Sequence, residues 1–299
     1  MRGFVIIVLV STLALFACER ERIISVSSID SKPVLSLHSI AQPNQMLSLK
    51  LERSSGLFKS EGEQDLLQKA DISIQWNETT TDFPNYNSVE PGLFIFPDIV
   101  PKTGDYLKIT AQAEGLVQGE ASTFVPGTYH TTLNKISVVE IGSSVQIRAD
   151  VQLDRKGDSD GYFIIYGEGL IHDPISGEIK PRRFSVSSKD NLIEKRTRLI
   201  AEQPGNLLFL HNLQPDINNV EIVTSGIPAH FSPHHPKQKV ELVVQKLSRD
   251  LYEYYLSLYL NNHISNAHPI ELPINLYTNV KNGIGVVGGA HTTRLALYW

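Results

Sequence analysis

One cysteine, Cys18, in 299 residues leaves this chain without any intramolecular disulfide. Its fold must rest on burial alone, which a chain of this length can supply, since large domains bury about 70–75% of their surface. A basic excess is missing too. The chain has 27 Lys and Arg against 32 Asp and Glu, a formal charge of −5, and binding to phosphate backbones needs a basic face, so nucleic acid is excluded as a partner. No apolar run reaches the roughly 20 residues that span a bilayer core. Neither a G-x-S-x-G elbow nor an H-E-x-x-H helix is present, which removes the two commonest hydrolase signatures.

What stands at the amino terminus is a signal peptide. One positive charge, Arg2, precedes an apolar run from Phe4 to Ala17, broken only by Ser11 and Thr12 and stopped by Glu19-Arg20-Glu21-Arg22. The run closes in Leu15-Phe16-Ala17-Cys18, which resembles the bacterial lipobox. Ala17 is small enough for signal peptidase to approach, and the Cys18 thiol takes the diacylglycerol. Lipidation accounts for the lone cysteine of an exported chain and removes it as a thiol nucleophile. Residues 1–17 are therefore read as a lipoprotein signal peptide, and 18–31, charged and then serine-rich (Ser25, Ser27, Ser28), as a tether between lipid and fold.

From about Lys32 the dominant signal has period 2, the mark of half-buried strands. Leu47, Leu49 and Leu51 alternate with Ser48, Lys50 and Glu52; Ile72, Ile74 and Trp76 alternate with Ser73, Gln75 and Asn77; Leu107, Ile109, Ala111 and Ala113 alternate with Lys108, Thr110 and Gln112. Pro91-Gly92 and Pro126-Gly127 punctuate them. Residues 32–128 thus predict a β-sandwich of immunoglobulin-like size. A second β-rich domain is expected over 134–299, with its clearest strand at Val145, Ile147, Ala149, Val151 and Leu153. Further strands are expected at 162–166, 207–210, 220–223 and 240–244. One helix stands out: Asp250 as N-cap, Glu253 completing a capping box, and Leu251, Tyr254, Tyr255 and Leu258 as the packing stripe. The fold class expected is mostly β with one short helix, and the second domain, reached through a short link, is expected to lie distal to the lipid and to carry the partner surface.

The order of these features resembles the outer-membrane lipoproteins grouped as domain-of-unknown-function family 4249, found in Bacteroidetes and often encoded beside TonB-dependent receptors. The residues that carry the resemblance are Cys18, Ala70-Asp71-Ile72-Ser73-Ile74, Gly104-Asp105-Tyr106-Leu107-Lys108-Ile109 and Ala121-Ser122-Thr123-Phe124-Val125-Pro126. Asp158-Ser159-Asp160-Gly161-Tyr162-Phe163, Leu247-Ser248-Arg249-Asp250-Leu251-Tyr252 and the stretch from Asn279 through Gly289 complete them. The resemblance implies a first immunoglobulin-like domain, a second β-domain, an outer-membrane address and a TonB-dependent receptor as partner; it transfers no catalytic residue.

Three clusters look chemical. Gly283-Ile284-Gly285-Val286-Val287-Gly288 spells G-x-G-x-x-G, but a dinucleotide unit needs a following helix, strand and acid, and only eleven residues remain. A tight turn and a bulged strand edge fit these glycines better. Asp154, Asp158 and Asp160 lack EF-hand spacing and read as a turn. His230, His234 and His235 lie among Pro228, Pro233 and Pro236, which forbid a helix. A zinc site there needs a further ligand from candidates such as His211, His263, His268 or His291, so the three read as loop histidines. No catalytic, cofactor-binding or metal residue is assigned. The function expected is a non-enzymatic, lipid-anchored binding or accessory protein; the alternatives are a surface adhesin or spacer, and a metal-dependent hydrolase using His230, His234 and His235. Replacing Cys18 by Ser should release the protein from washed membranes, because one acyl chain alone binds only marginally whereas several hold firmly; a variant that stays in the membrane pellet after a high-salt wash contradicts lipid anchoring.

Overall fold

The computed structural model describes residues 32–54, 65–142, 144–154, 161–172, 179–194, 197, 207–211, 217–225, 227–228, 239–267 and 275–298. Cys18, the tether, Asp158, Asp160 and the His230, His234 and His235 cluster lie outside the described residues. The described residues are mostly β with one α-helix, the fold class that the sequence predicts.

Eight strands build the first unit: β1 (Leu35–Ala41), β2 (Leu47–Arg53), β3 (Asp65–Leu66), β4 (Lys69–Trp76), β5 (Thr79–Asn87), β6 (Leu93–Phe96), β7 (Tyr106–Gln112) and β8 (Gly119–Phe124). β5-β4-β7-β8 form an antiparallel four-stranded sheet. Its inward residues Ile72, Ile74, Leu107 and Ile109 share one core with Leu35, Leu37, Leu49, Leu51, Phe94 and Phe96 of the opposing layer. Burying a leucine fully contributes about 1.5–3 kcal/mol, so the alternation of β2, in which Leu47, Leu49 and Leu51 point inward, fixes its register. Asp105, within one of the segments that carry the family resemblance, has a structural role here. It accepts hydrogen bonds from Trp76 Nε1 at 2.6 Å, Asn77 Nδ2 at 3.0 Å and the Lys102 amide at 2.8 Å, tying the end of β4 to β7.

The second unit contains β9 (His130–Ile141), β10 (Ser144–Asp154), β11 (Tyr162–His172), β12 (Ile179–Ser187), β13 (Leu208–Leu210), β14 (Ile217–Ser225), β15 (Ile227–Pro228) and β16 (Lys239–Leu247). After them come α1 (Arg249–Ala267) and β17 (Gly283–Tyr298). All five alternating residues of β10 point into the second core. Within the expected strands at 162–166 and 240–244, residues 162–166 and 242–244 are apolar without alternation because they are covered on both faces. Phe163, Ile165, Leu242 and Val244 belong to the second core, while Ile164, Tyr166 and Val243 face a third cluster under α1.

β17 departs from the boundaries drawn on the sequence. Its first half, Gly283 to Gly289, runs parallel to β1, and its second half, Ala290 to Tyr298, runs antiparallel to β16. Val280 and Val287, within the stretch assigned to the second domain, are buried in the first core, and Leu297 in the second. The order β16-β17-β1 therefore makes one continuous sheet through both units. A second crossing runs between β8 and β9, where Val125 is buried in the first core and the Tyr129 hydroxyl donates to the Val244 carbonyl at 2.5 Å. Burial pushes the Tyr129 phenol well above its usual range.

The glycine run is explained by this crossing. The turn is present, at Asn282 with φ 57°, and the strand that follows pairs with β1 along one side over 283–289, with Asn279 and Ser248 bonding its backbone on the other. A Cβ on Gly288 would sit 2.5 Å from Leu251 Cβ, and one on Gly289 would collide with the Phe124 carbonyl and lie 2.8 Å from Pro126 Cδ. Both positions admit only a hydrogen because helix, linker and strand meet there. Gly289→Ala should lower the unfolding free energy in urea by about 1–3 kcal/mol, the usual cost of overpacking, with both units unfolding in one transition; two separated transitions in the wild-type protein contradict a shared strand.

Candidate functional site

Leu247 ends β16, and Ser248 turns the chain into α1. The Ser248 carbonyl accepts the Tyr252 amide at 3.0 Å and its Oγ accepts the Leu251 amide at 3.4 Å. Ser248, not Asp250, is thus the N-cap. The same residue locks onto β17: its amide donates to Gly289 O at 2.8 Å, and its Oγ accepts from the Gly289 amide at 3.0 Å. Asp250 sits at the second helical position and accepts the Tyr277 hydroxyl. Burial first, and that bond second, push the Tyr277 phenol up to about 12.

The packing stripe of the helix overlaps the predicted one, with Leu251 in the third cluster and Tyr254 and Tyr255 packed against it, but is centred elsewhere. Leu251, Tyr252, Leu256, Tyr259 and Leu260 are buried, whereas Tyr254, Tyr255 and Leu258 are half-buried. The segment is apolar nearly all round, so spacing alone allows two faces. Tyr252 decides between them by meeting the rings of Tyr162 at 5.1 Å and Phe209 at 5.6 Å.

Around this corner lies a cleft of about 300 Å³. One wall comes from the first unit, residues 122–124 and Pro126; the other comes from Tyr162, the end of β16 and the first turn of α1. Two of its residues are cationic, Lys246 and Arg249, and one is acidic, Asp250. Lys246 is 2% exposed and stands opposite His291 in the β16–β17 ladder. Burial, and the charge of Lys246 after it, hold the His291 imidazole below its ordinary value. Tyr162 stacks on His211 with ring centroids 5.1 Å apart. Asn279 braces the rear of the junction: its Nδ2 donates to Val287 O at 2.9 Å and Ser122 O at 3.2 Å, and its Oδ1 accepts the Val287 amide at 3.0 Å.

Of the histidines weighed as metal ligands, His211 stacks on Tyr162 and His291 meets the Tyr129 ring edge-on at 5.4 Å. The His263 side chain and His268 lie outside the described residues. Among the described residues no group of three or more His, Cys, Asp or Glu could hold a metal ion, and no helix there is long and apolar enough to cross a membrane.

A second feature had no signal in the periodicity. On β9, Ile136, Val138, Val139 and Ile141 are 39–56% exposed. Among the described residues β9 pairs only with β10. Thr224 Oγ1 accepts the Ile147 amide at 3.0 Å and donates to the Ile147 carbonyl at 3.4 Å, so the backbone of Ile147 faces β14. Opposite residues of an antiparallel pair point the same way relative to their ladder. Val138, opposite Ile147, therefore turns its amide and carbonyl away from β10, toward the open edge.

The architecture is that of a two-unit β protein joined by a shared strand, with a cleft where the units meet. The chain belongs to the family described as a domain of unknown function, DUF4249, which matches residues 21–296. No curated protein matches it. Three of the segments that carry the resemblance, 121–126, 247–252 and 279–289, converge on this junction.

The histidines here give the fold a pH dependence with a definite sign. Burial, the largest cause, depresses the pKa of both His38 and His291. At His38, Glu52 opposes burial and Lys50 reinforces it. Unfolding lets each take up a proton at a higher pH than the folded state does, so their stabilisation is complete above the unfolded value of about 6.5 and is lost as pH falls from there toward the folded value. The urea midpoint should fall between about pH 7 and 5.5, and less steeply in a His38→Gln, His291→Gln double variant. A midpoint that rises over that window contradicts buried neutral imidazoles.

Proposed function

We propose that this protein is a lipid-anchored accessory protein of the outer membrane, held by lipid on Cys18, that works with a TonB-dependent receptor in ligand capture or uptake. The observation that carries the reading is the placement of the exposed β9 segment relative to the start of the fold. Leu35, just after the tether, pairs with Gly283 at one end of β17, and Lys239 pairs with Tyr298 at the other. Sixteen residues of strand make that axis about 50 Å long. Registers across the second unit put Tyr162, Leu247, Ala290 and His130 toward the junction, and Val240, Leu297 and Ile141 at the remote end. On this reading the apolar edge of β9 lies at the end of the fold remote from the tether, available to segments of a membrane-embedded partner.

Contiguous exposed apolar side chains on an open strand edge invite pairing with another protein. A receptor segment laid along β9 would satisfy the outward amide and carbonyl of Val138 and cover Ile136 and Val139. A Val138→Asp, Ile141→Asp variant should remain folded, since exposed substitutions usually shift stability by about 0.5 kcal/mol or less, and should lose the receptor when the tagged protein is recovered from solubilised membranes. Val117→Asp, a change at a still more exposed position on the first unit, should retain it. Retention by the β9 variant and loss by the Val117 variant would place the partner on the first unit instead.

A further inference from the structure

We propose that the end of the first unit from which the tether leaves rests on the bilayer surface, with Val89, Val117 and Ile284 dipping into the boundary between headgroups and acyl chains. The inference rests on the lipid-anchored reading and deepens it, and it is independent of docking at β9. Strand registers gather several turns of this unit at that end. Leu35 lies opposite Arg53 and Gly283, Lys50 opposite Leu93, Lys69 opposite Asn87, and Asp71 opposite Gln112. The start of β1, the turns at 88–92 and 113–118 and the start of β17 are thus neighbours. The chain enters the fold here, pinned where the Val34 amide donates to Ser54 Oγ and the Ser54 amide to the Val34 carbonyl, both at 2.9 Å. Fourteen residues, 18–31, separate this end from the lipid. As a flexible coil they reach about 20 Å on average and about 50 Å at full extension, so this end is the one held close to the bilayer.

Turns ordinarily present Gly, Pro, Asn, Asp or Ser to solvent, yet both turns here present valine. Val89 is 65% exposed, Val117 66% and Ile284 44%. The turns that carry the valines are fixed. The Val89 amide donates to the Leu93 carbonyl at 2.8 Å and the Gly92 amide to the Leu67 carbonyl at 2.9 Å. In the other turn the Leu116 amide donates to the Ala113 carbonyl at 3.1 Å, and Arg53 Nη2 donates to the Glu114 carbonyl at 2.9 Å. Little ordering is therefore needed when the side chains enter lipid. Charge does not draw this end to anionic headgroups, because Glu90 and Glu114 offset Arg53 and Lys69, and Lys281 pairs with Glu120 at 3.3 Å. The attraction is apolar. Three aliphatic side chains bury fewer methylene groups than one myristoyl chain, whose hold is itself marginal, so they orient the fold without anchoring it. The contact stands β17 with its Gly283 end toward the bilayer. Receptor recovery from solubilised membranes removes that bilayer, so Val117→Asp remains a control there.

Cys18 is the only cysteine and is consumed by lipid on this reading, so a cysteine placed elsewhere is a unique labelling site. The lipidated full-length protein carrying Val89→Cys, Val117→Cys or Met46→Cys is labelled with a polarity-sensitive nitrobenzoxadiazole dye and reconstituted into neutral phosphatidylcholine vesicles. Met46, 58% exposed beside Leu47 at the opposite end of β2, reports the far end of the same unit. Dyes at 89 and 117 should shift their emission to the blue and lose intensity when the vesicles contain phosphatidylcholine spin-labelled near its headgroup. The dye at 46 should do neither, and high salt should change nothing. The unmodified protein gives a check without labels: amides of 88–92 and 113–118 should exchange several-fold more slowly on vesicles than in soluble Cys18→Ser. Protein that floats with the vesicles but shows neither the shift nor the quenching at 89 and 117, or unchanged exchange in both turns, overturns the contact and leaves lipid anchoring intact. Failure to float overturns anchoring and contact together. Equal quenching at 46, or a response that needs anionic lipid and disappears in salt, also overturns the proposal.

Discussion

The structure turns on one constraint: a single strand must serve two partners of opposite polarity. β17 leaves β1, to which it is parallel, and joins β16, to which it is antiparallel, within one peptide step between Gly289 and Ala290. Parallel pairs are ordinarily built from crossover connections with covered faces; here the parallel partner comes from the other end of the chain. The handover brings three elements into contact around a backbone without side chains, which is why Gly288 and Gly289 stand there and why Ser248 must both cap α1 and bond Gly289 on both sides. The first unit does not close its core alone, because Val280 just before β17 and Val287 within it fill it, while Leu297 of the same strand lies in the second core. Contacts between residues about 250 positions apart follow, such as Leu37 with Gly285, and such distant pairings make folding slow relative to local ones.

The same corner gives the molecule its concave surface. A linker, a strand end and a helix start meet at an angle, and their side chains do not fill the space between them. The charged residues gather there for a topological reason: β16 must end and α1 must begin where β17 changes partner. The family description assigns no activity, and its segments at this corner, from Ala121, Leu247 and Asn279 onward, have structural duties that can be named one by one. Asn279 ties β17 to β8, Ser248 caps and clamps, and Phe124 lends its carbonyl to the packing against Gly289.

Strands with one solvated face were legible in the sequence: β2, β4, β7 and β10 bury the residues their alternation named, except that Trp76 at the end of β4 is half-buried. Double-faced burial was legible too, in principle, because the unbroken apolar runs at 162–166 and 242–244 signal cover on both sides; the cover is α1. Two things were not readable. Period 2 says which face a residue occupies but not which strand lies beside it, so nothing marked 283–289 as a partner of β1. Helical period likewise left two apolar faces of α1 equivalent until Tyr252 found Phe209 and Tyr162. The cleft was unreadable for the same reason, since its walls come from three separate stretches, 122–126, 162 and 246–250, that the partner exchange of β17 brings together.

Native-state hydrogen exchange along β17 tests the shared strand most directly. If both cores depend on it, amides from Val286 to Val287 and from Thr292 to Leu297 open with the same free energy, equal to that of global unfolding, and respond equally to denaturant. Exchange of the first group through a separate, lower-energy opening while the second stays protected would show two units that fold independently and merely touch.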